Sequence, residues 1–458
     1  MFRSALFIAA VVVASGCGGR PPLSSGGAGD DAAGDAAAAI DRRAAALTSH
    51  GEWTEARAMI EHGLAAQRAR GDRAGEARLV LRRGRIVIDE VRHRGGDRSA
   101  ALADLEAARR TAEAIGDRAL VADSVDALAM MRFVHWFSSQ EPADLAAADE
   151  QFRQALAIRE PRGDSAALAD SHFHVGLVHQ MRGDRGAAKQ AFAQSLAIAE
   201  RVHDDAQIAY AARHLGYLAD LDREPVAAEA LLGRSLELRE RSGPGPGVAA
   251  AQIALAEVRY AHDGDAERAL ALLGRAHDGA TAVHSDAYVA IASGAIGRVH
   301  RDLGHYDEAR RWFTAAIAGM DAIHSDEDVP QSYEQLALID LLQDQPAAAA
   351  AAAERGIARR TSPRLRAVQR LARARAGQPV APGDEPGGDP VVVARLALVA
   401  GRSDDALTAA ITGDDPDTLL LAALAVGPVG LDRAIAAAAA MSRAQALRFE
   451  RVRVSPRR

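Results

Sequence analysis

The 458-residue chain contains no asparagine, one lysine (Lys189) and one cysteine (Cys17), and aromatic residues make up only 4% of it. Alanine and arginine dominate instead, which reads as a GC-rich coding bias and not as chemistry. Thiol chemistry is confined to a single residue. The formal charge is −7, so no global field favours nucleic acid. Several short site patterns are missing as well. Without GxxxxGK[ST], or a GxGxxG between strand and helix, there is no phosphate-cradling loop. The absence of HExxH, and of paired carboxylates at ligand spacing, removes the usual zinc hydrolases. No GxSxG nucleophile elbow is present. Beyond His324 there is neither histidine nor cysteine, so the C-terminal stretch is a poor source of acid–base groups.

The N-terminus is informative. One positive charge, Arg3, precedes an uncharged stretch from Ser4 to Gly19, and Ala14-Ser15-Gly16 stand directly before Cys17. That stretch is shorter than the ~18–20 residues of a membrane-spanning helix. Its layout is that of an export signal with a small-residue cleavage site. Residues 1–17 resemble a bacterial lipoprotein signal peptide. The resemblance implies lipidation of Cys17 and a chain anchored by lipid at the cell envelope. Gly18 stands where an aspartate would imply inner-membrane retention, so the outer membrane is favoured. An acylated Cys17 leaves no thiol for a disulfide, a metal or a nucleophile. Residues 18–35 are rich in Gly, Pro, Ser and Asp and read as a flexible tether. Its root-mean-square reach would be roughly 20–25 Å.

From Ala36 a pattern recurs about every forty residues. Gly176 is followed by Ala188, Phe192 and Ser195; Gly216 by Ala228, Leu232 and Ser235; Gly297 by Ala309, Phe313 and Ala316. Small residues let two antiparallel helices approach, a large apolar residue fills the gap, and a Gly-Asp or Gly-His turn reverses the chain. This small–Ala–large–small order resembles the tetratricopeptide repeat. The large-residue positions are Ile60, Leu105, Phe152, Phe192, Leu232, Leu273, Phe313 and Ala353, about eight repeats over 36–375. Most are 40 to 41 residues apart, longer than the standard unit. His135-Trp136-Phe137 reads as an aromatic loop packed back on the array, with a partner contact as the alternative. Residues 376–390 are a Pro/Gly-rich linker, and 391–458 read as short Ala/Leu helices that cap the apolar end. The expected fold class is all-α: an α-solenoid of antiparallel helix pairs, a tetratricopeptide-like superhelix with a helical C-terminal cap.

In tetratricopeptide arrays the first helix of each repeat lines a concave groove. Carrying those positions over places Phe173, Tyr210, Arg213, Tyr217, Tyr260, Arg298 and Arg301 on that face. Aromatic anchors beside arginines suit capture of a peptide or helix. The Lys/Asn clamp of chaperone-binding members has no counterpart here. His172, His179 and His300 fall at packing positions and read as structural, so no metal, cofactor or catalytic residue is expected. The resulting expectation is a membrane-anchored, non-catalytic scaffold or adaptor with a protein or peptide partner and no nucleic acid. The alternatives are a ligand- or peptide-sensing regulatory module of an envelope signalling pathway and, last, an enzyme with a histidine-based site.

Overall fold

The computed structural model describes residues 31–139, 141–163, 165–326, 329–380 and 388–454. Every regular element among them is helical: twenty-two α-helices, from Asp31–Ser49 to Arg443–Val454, and one 3-10 turn, Glu160–Arg162. The fold is an all-α solenoid of antiparallel helix pairs. The expected signal peptide, Cys17 and the expected tether as far as residue 30 lie outside the described residues. Residues 31–35, expected in the tether, instead open the first helix, where the alanine-rich run Ala36–Ala39 continues a strong helix former. Among the described residues no helix is long and apolar enough to cross a membrane.

Local chemistry sets the helix ends. The side chains of Asp72, Ser165, Asp184 and Asp204 accept hydrogen bonds from the backbone N–H three residues on, which caps the helices they precede. Gly183 turns the chain within its repeat at φ 78°, in the left-handed region that glycine enters without a Cβ clash. Between repeats the same conformation falls to His203, His284 and His324, at φ 56°, 53° and 54°. Asparagine suits such positions well, and the chain has none.

Packing within each pair follows the small-to-large rule. A Cβ added at Gly176 would stand 2.7 Å from the Phe192 ring, at Gly216 2.9 Å from Leu232, and at Gly84 2.8 Å from Leu105. Ile60, Leu105, Phe152, Phe192, Leu232, Leu273, Phe313 and Ala353 are all buried. The His135-Trp136-Phe137 segment is not a loop: it continues helix Arg118–Ser139, and Trp136 stacks on Phe133 at 6.4 Å between centroids.

Two compact units emerge: residues up to Leu255 together with Asp278–Tyr288, and Ala256–His277 together with Val289 onward. The first unit closes on itself. The His50 imidazole Nε2 meets the Ser242 carbonyl at 3.0 Å, and His93 Nδ1 meets Ser285 Oγ at 2.8 Å, each across 192 residues of sequence. Gly245 lies so close to the Ser49 carbonyl that a Cβ there would be 2.3 Å from it.

The second unit contains the Pro/Gly-rich segment, with helices ending at Arg375 and resuming at Pro390. Its C-terminal helices share a core of Ala394, Leu407, Leu419, Leu420, Ala434 and Phe449. Buried ion pairs tie them to the earlier repeats. Arg448 reaches Asp302 at 3.3 Å and Asp417 at 2.5 Å, and Arg301 reaches Asp417 at 2.9 Å. Arg395 bridges Glu334 and Asp415, each at 2.7 Å.

Candidate functional site

The residues expected on an open groove differ sharply in accessibility. Phe173, Tyr210, Arg213 and Tyr217 belong to the first unit; Tyr260, Arg298 and Arg301 belong to the second. Phe173 is buried in an aromatic cluster with Phe192, Tyr210 and His214, at 5.4, 5.8 and 5.0 Å. Arg213 has no exposed surface, and Tyr217 and Arg301 are buried. Tyr260 is buried with its hydroxyl lacking a hydrogen-bond partner among the described residues. Arg298 is half-buried and paired with Glu257. Most of these side chains are therefore interior as the protein stands, a correction to the open-groove expectation. The reason is closure. In the first unit Tyr288, itself fully buried, sits against His93 and within electrostatic range of Arg213, so inner faces meet each other. In the second, helix Arg443–Val454 meets Asp302 through Arg448 and Gln445, and Arg301 pairs with Asp302 and with Asp417 of helix Pro416–Val426.

One expected residue, Tyr210, lines open space. A cavity of about 730 Å³ in the first unit lies among the helices Asp31–Ser49, Arg73–Arg94, Asp205–Leu221 and Pro225–Arg241 and the loop Ser242–Gly245. Its volume falls within the ~300–1,000 Å³ typical of ligand pockets. The lining carries six arginines (Arg42, Arg43, Arg82, Arg85, Arg239, Arg241) against three aspartates (Asp89, Asp204, Asp205). Apolar surface comes from alanines of two helices, Leu238, Pro246 and Val248.

The charges in this lining are unevenly spent. Asp89 accepts the Trp53 indole N–H at 2.9 Å, Asp204 caps its helix through Gln207, and Asp205 pairs with Arg241 at 3.1 Å. Arg82 is held by Asp41 at 2.5 Å, and Arg85 donates to the Asp123 carbonyl at 3.0 Å. Arg239 is different. Its guanidinium lies over the Tyr210 ring at 4.3 Å, and its Nε and Nη2 are buried without an acceptor among the described residues. Gly247 makes room for it, since a Cβ there would fall 2.0 Å from Nη1. Sequence reasoning passed over Arg239 because it sits on the second helix of its repeat, outside the groove positions.

Positive charge also accumulates beneath the lining. Burial lowers Arg213 to about 10, and the like charges of Arg239 and Arg92 push the same way. Burial likewise drops His93 to about 4 and holds His214 well below the usual histidine range. Elsewhere in this unit, burial pushes Asp126 up, but the charges of His174 and Arg159 prevail and keep it ionised. His174 Nδ1 stands 2.9 Å from Asp126 Oδ1. Asp170 is raised to about 7, chiefly by burial. His172, His179 and His300 are half-buried. Among the described residues no group of three His, Cys, Asp or Glu stands placed to hold a metal ion.

With this geometry in view, comparison with known proteins is informative about fold. The family model described as tetratricopeptide repeat matches residues 247–322. No curated protein matches the chain. Among solved structures, a Rap protein complexed with Competence and Sporulation Factor is similar, with 16% identity and a TM-score of 0.55 over 84% of this chain and 100% of that one. A signal-transduction ATPase with a tetratricopeptide repeat sensor from Pyrococcus horikoshii shares 13% identity at a TM-score of 0.50, covering 79% of this chain and 54% of that one. The architecture is thus tetratricopeptide-like.

Proposed function

We propose that this chain is a non-catalytic scaffold or adaptor that captures a protein or peptide partner in the cavity of its first unit, and that an acyl anchor on Cys17 holds it at the cell envelope. The observation that carries the reading is the cavity itself. It combines apolar surface with a guanidinium whose Nε and Nη2 have no acceptor among the described residues. The anchor rests on the apolar run and Ala14-Ser15-Gly16 before the thiol.

Ala46 lines the cavity and is exposed, which makes it a suitable position for a photo-crosslinking amino acid. In native membranes it should yield an adduct with one defined protein. A control at Val226, an outward residue that is 80% exposed, should not. Equal adducts from both positions, or adducts from Val226 alone, would remove the cavity as the capture site.

A second reading, ligand sensing, draws on the likeness to the Rap protein solved with Competence and Sporulation Factor. On that reading occupancy of the cavity changes what the protein does to another component. A ligand that raises the melting temperature and alters partner capture would favour sensing. Capture indifferent to any ligand would favour the plain scaffold.

A further inference from the structure

We infer that the cavity of the first unit recognises a carboxylate, presented by an acidic or free-ended peptide with apolar neighbours, and that Arg239 is the residue that reads it. The inference rests on the scaffold reading and adds the chemistry of the partner.

Three observations converge. First, Nε and Nη2 form the side-on fork of a guanidinium, the pair of donors whose spacing matches the two oxygens of a carboxylate. In Arg239 these are the two nitrogens that lack an acceptor among the described residues. A buried charge without a counter-ion is costly, and an incoming anion removes that cost. Second, the fork is held in place before any ligand arrives. Tyr210 lies under its plane at 4.3 Å, and Gly247 leaves space for Nη1 that any side chain would take. A donor ordered in advance loses little entropy on binding. Third, the surroundings choose among anions. Asp89, Asp204 and Asp205 line the same cavity, and each is already engaged by Trp53, a helix terminus or Arg241. None of them supplies an acceptor to Nε or Nη2 of Arg239. Alanine, leucine, proline and valine in the lining favour a ligand with an apolar body. Exposed Arg42 and Arg43 add positive charge for encounter without a fixed geometry.

The test is calorimetric titration of the full chain with four probes: the peptide Leu-Ala-Leu-Ala with a free carboxyl end, the same peptide amidated, an amidated Leu-Ala-Glu-Ala, and inorganic phosphate. Binding of the first separates a terminal carboxylate from a side-chain one, which the third reports. The amidated neutral peptide should bind at least tenfold more weakly than whichever carboxylate probe binds. Arg239→Gln should weaken that probe about tenfold or more, as expected for loss of a charged hydrogen bond. Gly247→Ala keeps the charge but displaces the guanidinium, and it should weaken the probe while leaving the protein folded by circular dichroism. Equal affinity for the neutral and carboxylate peptides, or phosphate binding tighter than both carboxylates, overturns the inference. So does full carboxylate affinity in Arg239→Gln. If crosslinking from Ala46 still captures its partner in Arg239→Gln, only the carboxylate inference falls and the scaffold reading stands. If wild-type protein binds a carboxylate probe but Ala46 captures nothing, the scaffold reading falls instead.

Discussion

Replacing Gly176 by alanine should destabilise the first unit, whereas the same change at Gly233 should stabilise it. Both are helical glycines of that unit, in helices Ala166–Met181 and Pro225–Arg241. Alanine is favoured over glycine in a helix interior by about 0.5–1 kcal/mol, so this gain is common to the two sites. What differs is the room. Nothing lies within 4 Å of a Cβ at Gly233, whereas at Gly176 two ring carbons of Phe192 lie at 2.7 Å. That ring cannot retreat: it has no exposed surface and is flanked by Phe173 at 5.4 Å and His214 at 4.9 Å. Restoring an ordinary carbon–carbon separation of about 3.5–4 Å requires the ring or the helix to shift by about 1 Å. Overpacking of this kind costs about 1–3 kcal/mol. Because the propensity gain cancels in the comparison, the two variants should differ by that amount, with Gly233→Ala above wild type. Urea unfolding followed by circular dichroism measures it as a shift in midpoint at constant slope. Combining Gly176→Ala with Phe192→Leu should restore part of the loss, which a double-mutant cycle would report as coupling. A Gly176→Ala protein as stable as Gly233→Ala would refute the close-packing account of the repeat.

Further outcomes concern charge and anchoring. His93 is held neutral in the fold and protonates more readily once unfolded, so wild type should lose ground to His93→Gln as pH falls from the unfolded histidine value of ~6.5 towards about 4; a stability gap between the two that does not change across that range in urea unfolding would contradict its burial. Asp170 acts in the opposite sense. Its folded value, raised to about 7, means stability is lost as pH climbs from ~3.9 to about 7, so the advantage of Asp170→Asn over wild type should grow through that window and then level off. In the second unit, Asp417→Ala removes one of the two buried acids that Arg301 and Arg448 share, Asp302 being the other, and it should cost up to about 3–5 kcal/mol in thermal or urea unfolding. Cys17→Ser should release the protein from membranes or leave it as uncleaved precursor, and fractionation showing normal retention would argue against the acyl anchor.

The amino-acid sequence by itself determined the helix pairs. The spacing from Gly176 to Phe192, and from Gly216 to Leu232, is a short-range signal that encodes one close helix–helix contact, and the structure makes that contact in each case. Caps such as Asp184 and turns such as Gly183 act within a few residues of themselves, so they too are legible locally. Accessibility is another matter. Arg213 and Tyr217 occupy positions that face a groove in an open array, yet they are interior because residues 192 apart meet at His50–Ser242 and His93–Ser285. Arg301 is buried against Asp417, more than a hundred residues downstream. The availability of Nε and Nη2 of Arg239 is likewise defined by the lack of an acceptor among the described residues, and no spacing rule in a sequence records that. Local contacts are written in neighbouring residues. Which surfaces remain open is set by long-range closure, and only the tertiary structure decided it.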